Sequence, residues 1–171
     1  MGIVTLVGNP RDGSRTLAVA VRAAEEIAKG TGTSAAVDVV DLAGLAAQLF
    51  APGPSSGVEV ALELVREADV LVVASPTYKG TYTGLLKAFL DRLPHRALAG
   101  TAALPLLVMG DAKHALAVEV HLRPLLVELG ATVPTPGLAV LESQIPGLDG
   151  VLAAWAGQVV PQLPFRQEVS A

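Results

Sequence analysis

No cysteine occurs in the 171 residues, which excludes disulfides, thiolate metal sites and a cysteine nucleophile, and fits an expected cytoplasmic setting. Charged residues are also scarce, at 16% against 51% hydrophobic, so part of the apolar content is expected between subunits as well as within one. The formal net charge of -4 argues against a general nucleic-acid binder, which presents a basic face. No uninterrupted apolar run approaches the ~20 residues that cross a bilayer, so no membrane association is expected. An export signal is not expected either, because no basic segment and apolar run with a cleavage site opens the chain. The length suits one domain with a substantial core, so residues 1–171 are read as a single domain with a loose tail from about 161.

Asp69 to Ala74 is continuously apolar after its first residue, the pattern of a strand buried on both faces of a parallel sheet. It leads through Ser75-Pro-Thr-Tyr-Lys-Gly80 into Leu85, Leu86, Phe89, Leu90 and Leu93, which recur at helical spacing. In an open α/β sheet such a connection lies at the carboxyl end of a strand, where ligands bind. Tyr78 offers a flat ring that would cover a planar ligand, or else this is an ordinary connection with a packed tyrosine. The chain begins in the same way: Ile3 to Val7 forms a short apolar run, then Gly8-Asn-Pro-Arg-Asp-Gly-Ser-Arg-Thr16 leads into a helix from about Ser14 to Lys29. Ser14 reads as its N-cap, and Gly30 with Gly32 as its stop. With Arg11, Ser14, Arg15 and Thr16 beside a helix start, this turn suits a phosphate, the alternative being a plain glycine turn with solvated arginines. It is not a G-x-G-x-x-G loop, since Asn9-Pro10 follows Gly8, nor a Walker A loop, since Ser14-Arg15 stands where Lys and Ser/Thr are required.

Ala35 to Leu42 reads as a second strand nearer an edge, and 43–57, rich in Pro, Gly and Ser, as a surface excursion before a helix from Val58 to Glu67. Thr101 to Met109 is a further strand, and Gly110 to His114 is the third loop delivered to the same sheet end. The helix that follows, to about Leu129, has two apolar sets. Ala115, Val118, Leu122, Leu125, Leu126 and Leu129 form a core face; Leu116, Val120 and Val127 form a second stripe that meets either another subunit or more of the same chain. Pro124 cannot donate to the carbonyl of Val120, so the helix is expected to kink or widen at Val120-His121. His114 and His121 lie roughly 10 Å apart along a helix axis, too far to share a metal. Residues 131–141, with Pro134, Pro136 and Gly137, read as an interrupted edge strand, and 148–160 as a last helix.

Successive βα units with a phosphate-like and a planar-ligand loop at one sheet end describe a flavodoxin-like α/β sandwich: a five-stranded parallel sheet in the order 2-1-3-4-5 between two helical layers. Gly8-Asn-Pro-Arg11 with Ser14-Arg15-Thr16, then Ser75-Pro-Thr-Tyr-Lys-Gly80, then Gly84-Leu-Leu-Lys87 with Asp91, resemble the NADPH-dependent FMN reductase family. The likeness is greatest to reductases that feed reduced FMN to two-component monooxygenases in sulfonate assimilation, and Gly110 to Pro124, with His114, Glu119 and Arg123, looks like that subgroup. The resemblance implies FMN and NADPH (or NADH) as cofactors. It places the FMN phosphate on Asn9, Arg11, Ser14, Arg15 and Thr16, and the isoalloxazine against Pro76, Thr77, Tyr78, Lys79 and Gly80 and the Gly110-Asp111 turn. Asn9 stands where the family commonly has Ser, and Val120-His121 where the subgroup often inserts an aromatic. The implied activity is hydride transfer from nicotinamide to FMN, with an FMNH2-dependent monooxygenase as partner and a homodimer or homotetramer as assembly. A reductase with fixed FMN acting on a quinone, azo compound or metal ion, and a flavodoxin-like electron carrier, are the alternatives.

Overall fold

The structure, a computed structural model, describes residues 1–34 and 36–163. Five parallel strands carry it: β1 (Ile3–Val7), β2 (Asp38–Asp41), β3 (Val70–Pro76), β4 (Ala102–Met109) and β5 (Leu138–Leu141), in the order β2-β1-β3-β4-β5. This is the flavodoxin-like order expected from the sequence. Every residue of β1, β3 and β4 is buried, whereas β2 and β5, at the edges, are buried only in part. The continuous apolar runs therefore lie at the centre of the sheet and the alternating ones at its margins, because only central strands are covered on both faces.

The helices are α1 (Arg15–Thr31), α2 (Ala46–Leu49), α3 (Ser56–Glu67), α4 (Gly84–Leu90), α5 (Arg123–Glu128) and α6 (Leu148–Val159). On one face, Val19, Ile27, Leu152 and Trp155 of α1 and α6 meet Ile3, Val7, Val72 and Leu104. On the other, α3, α4 and α5 bring Leu62, Val65, Leu86, Phe89 and Leu126 against Leu6, Leu71 and Leu107. Among the described residues, no helix is long and apolar enough to cross a membrane.

Several boundaries differ from the sequence reading. Gly30 lies inside α1, and Gly32 alone ends it, in the left-handed conformation (φ 67°) with its N–H on the last turn. The expected second strand is shorter, at Asp38–Asp41, and the excursion after it contains α2. Ala115 is exposed rather than part of the core face, and Ala117 is buried in its stead. Val160–Gln162 continue as a 3-10 turn and Leu163 is buried, so the expected tail begins no earlier than residue 164; its remainder lies outside the described residues.

The widening ahead of Pro124 is present. Val118–Leu122 form a π-helical turn in which the Arg123 N–H donates to the Val118 carbonyl, five residues back, before α5 resumes with Pro124 at its start. The sheet beside it is interrupted for a related reason. Pro105 in β4 has no N–H to give β5, and the β4–β5 ladder breaks between Thr132 and Leu138. Arg123 fills the gap by donating to the carbonyls of Val133 (2.9 Å) and Thr135, while Glu119 accepts from the Gly137 N–H and pairs with Arg123.

Candidate functional site

The loops after β1 and β3 are built into one another. Gly8 is the contact point, since a Cβ added there would lie 2.5 Å from Leu86 Cβ of α4. Its N–H donates to the Ala74 carbonyl (2.8 Å) and its own carbonyl accepts from the Thr83 hydroxyl. Thr83 is also the N-cap of α4, accepting from Leu86 N–H at 3.2 Å, and its N–H donates to buried Ser75 Oγ at 3.0 Å. One threonine thus ties both loops and a helix start together.

Beyond Gly8 the first loop is shaped by Asn9, which is 6% exposed. Its side-chain oxygen accepts from the Arg11 N–H (3.0 Å) in an Asx turn, and its amide donates to Thr16 Oγ1 (3.1 Å). Asn9 is therefore occupied in holding the loop, and the Thr16 hydroxyl, accepting that bond, keeps its own proton to donate. Gly13 turns the chain with φ 59°, and Ser14 caps α1 by accepting from Leu17 N–H at 3.1 Å. The first turn of α1 has no acidic residue, although carboxylates are favoured there. Arg11 makes no ion pair among the described residues, whereas Arg15 pairs with Glu142 at 2.9 Å.

In the β3–α4 loop, Thr77 N–H donates to the Val108 carbonyl of β4 (2.9 Å). Tyr78 and Thr81 then exchange backbone bonds around Lys79 and Gly80, whose φ of 54° and 87° mark a type I′ turn. Lys79 occupies a conformation that usually calls for Gly, Asn or Asp. Tyr78 is 41% exposed.

These elements enclose a cleft of about 360 Å³ lined by both loops, by Val108 at the end of β4 and by Glu142 just after β5. Of the residues singled out in the sequence, Asn9, Arg11, Ser14, Arg15, Thr16, Pro76 and Tyr78 line it; Thr77, Lys79, Gly80, Gly110 and Asp111 stand outside its lining. Asp111 caps the 3-10 turn after β4 and pairs with Lys113 at 2.9 Å, which holds its carboxyl below the usual range. Asp12, Gly13, Val108 and Glu142 join the lining without having been anticipated. Glu142 had one legible signal, as the first polar residue after the apolar run of β5 and so at the same end of the sheet. Among the described residues, no cluster of His, Asp or Glu is arranged to hold a metal, and His114 and His121 lie outside the cleft lining.

The lining offers two kinds of surface. Cationic and hydroxyl donors gather at the start of α1; Pro76, Tyr78 and Val108 supply apolar and aromatic surface. The model of the NADPH-dependent FMN reductase family matches residues 1–145. The FMN reductase (NADPH) of Escherichia coli K12 is 37% identical over 147 residues, 85% of this chain and 75% of that one. The NADH-dependent FMN reductase SfnE of Pseudomonas putida is 30% identical over 161 residues, covering 93% of this chain and 87% of its own. Among solved structures, the apo form of the NADH:FMN oxidoreductase EMOB superposes with a TM-score of 0.86 at 31% identity, covering 97% of this chain and 91% of that one. A phosphate-ready loop, an aromatic wall at the carboxyl ends of central strands, and likeness over nearly the whole length converge: the chain belongs to the NADPH-dependent FMN reductase family.

Proposed function

We propose that this chain is an NAD(P)H:FMN oxidoreductase in which the β1–α1 loop binds the FMN phosphate and the β3–α4 loop carries the ring. The observation that carries this reading is the convergence of Arg11, Ser14, Arg15 and Thr16 with Pro76 and Tyr78 in one cleft. Bound FMN supplies a ring that accepts hydride from a reduced nicotinamide, NADPH or NADH, so the protein has to position two planar partners and needs no catalytic triad. Arg11, which forms no ion pair among the described residues, anchors the phosphate; the Thr16 and Ser14 hydroxyls donate to it; Tyr78 and Pro76 flank the ring. Thr77, Lys79, Gly80 and the Gly110-Asp111 turn complete the rim of the ring site, where a nicotinamide would approach.

The reduced flavin serves a partner FMNH2-dependent monooxygenase in this reading, and the enzyme works in the cytoplasm, where its nicotinamide substrates are regenerated. Residues 1–171 act as one flavodoxin-like domain, and copies assemble through the exposed stripe of Leu116, Val120 and Val127 into a homodimer or homotetramer. Support for the assembly comes from exposures of 66%, 51% and 54% at these positions, in the turn before the π-helical turn, in that turn and in α5, a stretch that buries Val118, Leu122 and Leu126.

The test is NADPH and NADH oxidation by dialysed protein, with and without micromolar FMN, its absorption spectrum being recorded first. A colourless protein that turns over only with added FMN is the expected result. A yellow protein active on quinones and indifferent to added FMN would assign a fixed flavin. No oxidation with any flavin would overturn the enzyme reading in favour of an electron carrier.

A further inference from the structure

Among the described residues, the charged ones of the cleft are Arg11 and Arg15 against Asp12 and Glu142, so their formal charges cancel although the proposed ligand ends in a phosphate. The two carboxylates are not equivalent. Asp12 belongs to the phosphate loop itself, but Glu142 arrives from the edge of the sheet, after β5, and ends 2.9 Å from the Arg15 guanidinium. Arg15 opens α1, where a cation is disfavoured by the helix dipole, so the side chain gains nothing for the helix by its position. Both members of the pair are solvated, at 64% and 40% side-chain exposure, and exposed pairs are weak and easily exchanged.

Resting on the FMN reading above, we infer that Glu142 is a resident competitor for the flavin phosphate, occupying Arg15 when the site is empty and setting how readily FMN leaves. Binding FMN exchanges the carboxylate for a phosphate oxygen on Arg15. The displaced Glu142 then lies beside a like charge and opposes retention. Arg11 has no such rival among the described residues, so it supplies the steady part of the grip and Arg15 the adjustable part. A reductase that delivers its flavin as a product is served by this arrangement, because a strong grip would slow the handover.

The experiment compares FMN and riboflavin binding, by flavin fluorescence at low salt, in the wild type, Glu142→Gln, Arg15→Ala and the double variant. Glu142→Gln is expected to tighten FMN roughly two- to fivefold, the range of an exposed ion pair, with slower release in stopped flow and riboflavin unchanged. In the Arg15→Ala background the same substitution should have a clearly smaller effect, since only the like-charge repulsion is left to relieve. Equal tightening of both flavins, unchanged FMN affinity, or an undiminished effect without Arg15 would each overturn the inference while leaving the FMN site standing. A wild type that binds no FMN would overturn instead the reading on which it rests.

Discussion

The work of each polar side chain in the first loop follows from where its atoms are already committed. Asn9 gives its oxygen to Arg11 N–H and one amide hydrogen to Thr16, so it shapes the loop with its second amide hydrogen left over, while Arg11 forms no ion pair among the described residues. Charge-assisted hydrogen bonds contribute about 1.5–3 kcal/mol each. Arg11→Ala should therefore weaken FMN binding by roughly tenfold or more and leave riboflavin almost unaffected, as titration of both would reveal. Arg15→Ala should cost less, since Glu142 already neutralises part of its charge. Equal and unaltered affinities in both variants would show that the phosphate lies elsewhere. The roles of Asn9 and Glu142 could not be read from residue order, because the first depends on which donors the folded loop presents and the second on a contact across 127 positions.

The π-helical turn, α5 and the broken β4–β5 ladder form one unit. Pro124 removes the N–H that would reach Val120, the turn widens, and Arg123 and Glu119 swing toward the segment that Pro105 leaves without a β partner. Arg123, by hydrogen bonding, holds the Glu119 carboxyl below the usual glutamate range. A depressed pKa gives stability that is complete above the ordinary glutamate value and is lost as pH falls through the lower folded one. Glu119→Gln should therefore reduce stability at neutral pH by about 0.5–1 kcal/mol and flatten its acid limb, measured by urea unfolding from neutral pH down to the carboxylate range. An unchanged acid limb would assign the acid sensitivity to other carboxylates. The widening itself was legible in the sequence, because a proline inside an apolar helical repeat acts through its own missing donor. Its coupling to the sheet was not, since Pro105 and Arg123 meet only after β4 and α5 are packed.

For the molecule entire, the distribution of apolar surface is the informative quantity. One side of the π-turn and α5 enters the core through Val118, Leu122 and Leu126, yet Leu116, Val120 and Val127 stay in solvent. Val120→Glu should shift the assembly toward the 17.4 kDa of one chain, followed by light scattering, with cofactor sites intact because Val120 is outside the cleft. An unaltered mass would place any interface on another surface.

Those elements that depend on local pattern were readable in the chain alone: buried strands as continuous apolar runs, Ser14 as a cap, the turns around Gly8 and Gly80, the stripe on the last helix but one. Period and capping act over a few residues, so their signal survives in sequence. Packing alone decided that Thr83 ties two loops together, that Asn9 faces inward, that the ladder fails beside Pro105, and that Glu142 reaches Arg15. Each of these is a contact between residues far apart in the chain or a choice between competing hydrogen-bond partners. Only the assembled sheet and its two helical layers bring such partners within reach.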